Sequence, residues 1–167
     1  MKVMGVDPGL AHTGVAVVEG TLGAVTSFSY GTIVTKPPQP DATRLYSIHE
    51  RISSILAEEK PVLLVLEEVY SLPRYPKSGL VLGKVLGAIM VACCRAGVPV
   101  REVAVREAKQ VLTGNGAASK AQLERAVRDH LALDRPITPS HASDAVALAL
   151  IGLFRYAPAA CRNEGKP

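Results

Sequence analysis

The stretch Val3-Met4-Gly5-Val6-Asp7-Pro8-Gly9 constrains what this chain can fold into. Lys2 through Val6 alternates loosely and shows no helical period, so it reads as a buried strand. Asp7 precedes a proline, which biases its backbone towards extended conformations. Gly9 then supplies a turn that bulkier residues resist. Thr13 through Val18 follows as a second strand, giving a hairpin with Asp7 beside its tight loop. A carboxylate at the end of a first, central strand is where a mixed sheet would build a catalytic site. The alternative is an Asp that only caps the turn.

The rest of the chain alternates helices and strands. Ala24 through Val34 reads as a third strand, closed by Lys36-Pro37-Pro38-Gln39-Pro40. Asp41 is a candidate N-cap for a helix over 42–58, whose Leu45, Ile48, Ile52 and Ile55 make an apolar stripe, with Arg44 on another face. Val62 through Leu66 is continuously apolar, as in a strand covered on both faces, and stops at Glu67-Glu68. A polar loop over 71–78 leads to a helix over 79–96. There Gly79, Gly83 and Gly87 form a bare stripe, suggesting close approach by a sheet or a partner helix. A strand at 99–103 and helices at 105–113, from Ser119 to Leu131, and from a Ser140 cap to Tyr156 complete the pattern. The fold class is α/β, a mixed five-stranded sheet with an antiparallel hairpin edge.

The 167 residues suit one domain, expected over 1–157, with 158–167 as a flexible tail. The net charge of +4 is compatible with a polyanionic partner. Cys93, Cys94 and Cys161 form an odd, unpatterned set, which argues against a disulfide framework and a zinc site. The N-terminus lacks a signal-peptide pattern, and no apolar run reaches the ~18 residues that span a bilayer. A soluble cytoplasmic protein without membrane contact is expected.

Three places carry candidate chemistry: Asp7, the end of the fourth strand at Glu67-Glu68, and His141 with Asp144 three residues apart on one helical face. Each has a structural explanation when taken singly. Together, three carboxylates and an imidazole in one cleft would repel each other without a cation among them. Hard oxygen ligands point to Mg²⁺ or Mn²⁺, and two such ions form the standard clamp for phosphodiester hydrolysis. Only one of Glu67 and Glu68 can face Asp7, because successive strand side chains point opposite ways; spacing leaves the choice open.

Met4 through Leu10 with Thr13-Gly14, then Leu66-Glu67-Glu68-Val69-Tyr70, Arg106 through Gln110, Ser119-Lys120 and Ser143 through Ala147 resemble the RuvC family of Holliday-junction resolvases, in order and over nearly the whole chain. The resemblance implies a ribonuclease-H-like fold with helices on both faces of the sheet. It also implies a homodimer that resolves four-way DNA junctions by paired, metal-dependent nicks during recombination and repair. It further suggests the RuvA–RuvB branch-migration complex as a partner. The matching catalytic and metal-binding positions are Asp7, Glu67, His141 and Asp144, with Mg²⁺ or Mn²⁺, two ions per site. Many members carry Asp where this chain has His141, which puts the metal preference in question. Arg106, Lys109 and Lys120 would hold phosphates. Tyr70 matches a base-stacking aromatic, and Arg74 and Lys77 share its loop. His12, His49 and His130 read as surface or packing residues. The alternatives are a YqgF-like nuclease acting on RNA, a catalytically silent junction-binding protein, and an actin-like ATPase, which needs two such domains.

Overall fold

Apolar residues give the first two segments two faces to bury, while the third stays largely exposed, and the three pair as a meander: β1 (Lys2–Asp7), β2 (His12–Gly20) and β3 (Val25–Val34). Strands β4 (Leu63–Glu67) and β5 (Val100–Val103) add in parallel on the other side of β1. The order is β3-β2-β1-β4-β5, so β1 is central as its sequence suggests. The computed structural model describes residues 1–68 and 76–156. Tyr70 and Arg74, and the expected tail at 158–167, lie outside the described residues.

Side-chain parity divides the sheet between two cores. Met4, Val6, Leu64 and Leu66 point to one face. There they meet Ile48, Ile52 and Leu56 of α1 (Asp41–Glu59) and Val85, Ile89, Ala92 and Cys93 of α2 (Pro76–Ala96). Val3, Leu63 and Val65 point to the other face. This face is covered by α3 (Val105–Thr113), α4 (Lys120–Leu131) and α5 (Ser140–Ile151), the last passing into a π-helical turn at Gly152–Tyr156. Helices therefore lie on both faces, as expected.

Several local expectations need correction. Asp41 is not the N-cap of α1: Pro40 holds that place without a side-chain bond, and Asp41 is the first helical residue, 3.7 Å from Arg44 and 3.9 Å from Lys84. Pro40 lacks a side-chain acceptor, so Asp41 acts through charge at the positive helix end. Arg44 is buried, because its Nε donates to Thr35 Oγ1 at 2.9 Å. Ser140 likewise does not cap α5; Pro139 does, again without a side-chain bond. Ser119 does cap α4, in a full capping box with Gln122.

Helix α2 starts earlier than its apolar pattern indicates. Lys77–Ala96 is long and apolar enough to cross a bilayer by length and composition alone, though Lys84 breaks its apolar run. One face of the helix nevertheless packs with α1 on the sheet, through Val85 and Ile89. Among the described residues its opposite face is uncovered: Leu80 is 70% and Val91 54% exposed, and nothing lies within 4 Å of a Cβ placed at Gly83 or Gly87. The glycine stripe at these two positions thus does not serve contact with the sheet.

Two other glycines set the position of α5. A Cβ at Gly5 would lie 2.1 Å from the Ala145 carbonyl oxygen and 2.5 Å from the Ala149 nitrogen. A Cβ at Gly14 would lie 1.9 Å from the His141 carbonyl oxygen. Helix backbone therefore rests directly on strand backbone. Gly5→Ala should destabilise the protein by about 1–3 kcal/mol through overpacking, measured as a lower midpoint in denaturant unfolding. An unchanged midpoint would contradict this packing.

Candidate active site

Register brings the acidic residues together. β1 and β4 run parallel with Val6 opposite Leu66, so the next residues of each strand, Asp7 and Glu67, sit side by side. Asp7 shares the face of Val3, and Glu67 shares the face of Leu63 and Val65, which is the face beneath α5. Glu68 follows on the opposite parity. Parity and register together thus place Glu67, not Glu68, beside Asp7, a choice that spacing alone leaves open.

Helix α5 supplies the remaining groups from its first turn. His141 Nδ1 lies 2.6 Å from Asp7 Oδ2. Asp144, one turn on, accepts from Lys120 Nζ at 2.8 Å. Lys120 is the first residue of α4, where the positive helix end disfavours a cation. The carboxylates offset this, and the Asp144 bond, with the charges of Asp144, Asp7 and Glu67, raises the Lys120 pKa. Lys109 joins Glu67, Lys120 and Asp144 around a cleft floored by Leu123 and Leu148.

The electrostatics are those of carboxylates held together against repulsion. Burial pushes Asp7 up from its ordinary range; the His141 bond opposes this, while the charge of Asp144 adds to it. Glu67 rises from 4.5 to about 7, first through burial and then through the charges of Asp7 and Asp144. Among the described residues, no three His, Cys, Asp or Glu side chains form a finished metal cage. His141 is turned to Asp7 and Lys120 to Asp144 instead. The donor chemistry still fits a hard divalent cation: Asp7 and Glu67 end the neighbouring interior strands β1 and β4, His141 and Asp144 come from the start of α5 above them, and a positive charge there would relieve the repulsion that raises Glu67.

Other expected contacts are more scattered. Arg106 is exposed and its side chain lies against Gly116 in the α3–α4 loop. Lys77 lines a separate hollow with Leu10, Val81 and Leu82. His12, read from the sequence as a surface or packing residue, is exposed, and its ring stacks on that of His141.

Known proteins share this arrangement of chain. The family model described as crossover junction endodeoxyribonuclease RuvC matches residues 3–152. The crossover junction endodeoxyribonuclease RuvC of Syntrophomonas wolfei is 36% identical over 156 residues, 93% of this chain and 90% of that protein. That of Alkalilimnicola ehrlichii is 41% identical over 155 residues, covering 92% of each. A solved structure of Thermus thermophilus RuvC in complex with Holliday junction substrate gives a TM-score of 0.87 at 32% identity, over 96% of this chain and 97% of that one.

The raised Glu67 pKa makes a prediction about stability. The metal-free folded chain holds a proton on Glu67 that the unfolded chain releases, so between 4.5 and about 7 the folded state binds more protons. Stability should therefore fall as pH rises through that window. Without divalent metal, the melting temperature should drop from about pH 5 to about pH 8, and Glu67→Gln should flatten the drop. A wild-type slope that Glu67→Gln leaves intact would contradict the assignment.

Proposed function

The chain belongs to the RuvC family of crossover junction endodeoxyribonucleases, and from that premise we propose that it resolves four-way DNA junctions by paired, symmetric nicks, with Asp7, Glu67, His141 and Asp144 as its catalytic and metal-binding residues. The fold is ribonuclease-H-like and the chemistry is phosphodiester hydrolysis, as in a nuclease of recombination and repair. The observation that carries the site assignment is the convergence of the carboxyl ends of β1 and β4 with the start of α5, where His141 Nδ1 lies 2.6 Å from Asp7 Oδ2. Residues 1–157 form the nuclease domain in this reading. The enzyme works in solution in the cytoplasm, with the RuvA–RuvB complex as its upstream partner.

Metal dependence is a property of the family. Mg²⁺ or Mn²⁺, two ions per site, would be held by Asp7, Glu67, His141 and Asp144. When bound, the metal lowers the pKa of its water and stabilises charge on the ester oxygens. In the hydrolysis, a water oxygen adds to phosphorus and one phosphorus–oxygen ester bond breaks. The chain's own residues prepare this reaction. Asp7 orients His141 through a 2.6 Å bond. Lys120 neutralises Asp144 and, with Lys109 across the cleft, brings positive charge to a polyanion that carboxylates alone would repel. Arg106 and Lys77 extend the basic surface in this reading, with Tyr70 and Arg74 as further DNA contacts. Imidazole in place of a carboxylate makes the site less negative and suits Mn²⁺ better than Mg²⁺.

The test is cleavage of a synthetic four-way junction beside linear duplex and RNA–DNA hybrid. Asp7→Asn should lower the junction cleavage rate by roughly 10³-fold or more, because charge stabilisation worth several kcal/mol is lost. Junction affinity should hold or rise in a gel shift, since the basic surface is intact. Normal cutting by this variant would sink the site assignment, and preference for the hybrid would favour a nuclease acting on RNA.

Two symmetric cuts need two sites, and a two-fold dimer supplies both. The uncovered face of α2, with Leu80, Gly83, Gly87 and Val91, is the interface in this reading. A charge placed at Gly87 or Val91 would be buried unpaired in that interface. Gly87→Glu and Val91→Glu should turn a sedimenting dimer into a monomer and abolish paired nicking. A wild-type monomer that still nicks in pairs would contradict the interface.

A further inference from the structure

His12 is exposed, so core packing does not account for its placement. Its ring nonetheless lies parallel to that of His141, with centroids 5.8 Å apart and planes 4° from parallel. The backbone beneath it is tied on several sides. Thr13 Oγ1 donates to the Gly9 carbonyl at 2.7 Å, and the Thr35 nitrogen donates to the Ala11 carbonyl at 3.0 Å. Thr35 Oγ1 donates to the Leu10 carbonyl and is itself bonded by the buried Arg44 of α1. His12 also pairs with Val34 in β3. A turn secured this firmly is a rigid mount for one side chain.

His141 needs such a mount. Its side chain is 45% exposed, and among the described residues its one bond, to Asp7, fixes a single ring nitrogen. One hydrogen bond leaves the ring able to swivel, since this torsion is intrinsically broad. A flat partner on one ring face removes that freedom.

We propose that His12 is a positioning residue, whose stacked ring sets the plane in which His141 presents its imidazole to Asp7 and to a metal ion bound there. This rests on the reading of His141 as a site residue. The interaction is ring against ring, so another flat aromatic should replace it and a methyl group should not.

The experiment uses the full chain. Junction cleavage is measured beside Mn²⁺ affinity by calorimetry without DNA, for His12→Ala and His12→Phe, each alone and combined with His141→Asp. His141→Ala serves as the reference. His12→Ala should slow cleavage and weaken Mn²⁺ binding on the order of three- to tenfold, the range of an aromatic pair. His12→Phe should stay within about twofold of the parent, because stacking survives. In the His141→Asp background His12→Ala should have no effect, since no ring remains to be held. Equal losses in both backgrounds, or a His12→Phe as impaired as His12→Ala, would overturn the proposal and point to direct contact of His12 with DNA or metal. An impaired His141→Ala beside an unaffected His12→Ala would overturn this inference alone. A fully active His141→Ala with parental Mn²⁺ affinity would overturn the site reading, and the inference with it.

Discussion

Helix α5 lies against β1 and β2 more closely than any side chain at Gly5 or Gly14 would permit. That backbone contact sets the reach of everything on the helix. At Gly14 it brings the His141 carbonyl against the strand residue paired with Asp7. The imidazole is thereby within 2.6 Å of the Asp7 carboxylate. Asp144 follows one turn on and meets Lys120. The apolar residues of the helix, from Ala145 to Ile151, fill the core behind. Geometry at the site is a by-product of how the core packs, which ties cleavage to the fold.

The site stores unfavourable electrostatics, and they have a direction. Burial and mutual charge raise Glu67 to about 7, where a free carboxyl would sit at 4.5. The cations at hand are on side chains: Lys120 at the start of a helix, where the dipole opposes it, and Lys109 across the cleft. Lys120 holds its place there through the Asp144 ion pair, and both lysines bring positive charge to the carboxylates of the cleft.

Much of this was legible before any coordinates. The β1–turn–β2 hairpin follows from a loose alternation, an Asp-Pro pair and Gly9, and the buried β4 from a continuous apolar run. The Ser119 cap was visible because its partner Gln122 lies at the capping-box spacing. Choices that depend on register were not visible. Glu67 and Glu68 differ only in which face they take, and that is fixed by the pairing of Val6 with Leu66. Arg44 looks solvent-facing in sequence because a charge on a helix usually is; Thr35, nine residues away and across a loop, makes its burial possible. The ring contact of His12 is illegible in sequence for the same reason, since His141 is far along the chain. Ser140 was a misleading cap signal, as Pro139 already ends the extended segment.

In the proposed function, the packing of α5 on the sheet brings Asp7, Glu67, His141 and Asp144 together to hold divalent cations. Crystals soaked in Mn²⁺ and measured for anomalous scattering test this. Anomalous density is expected among these four side chains, with Lys120 drawn off Asp144 and the density lost in Asp7→Asn. Mn²⁺ density elsewhere, or none among these side chains in crystals of an enzyme that Mn²⁺ activates, would overturn the assignment.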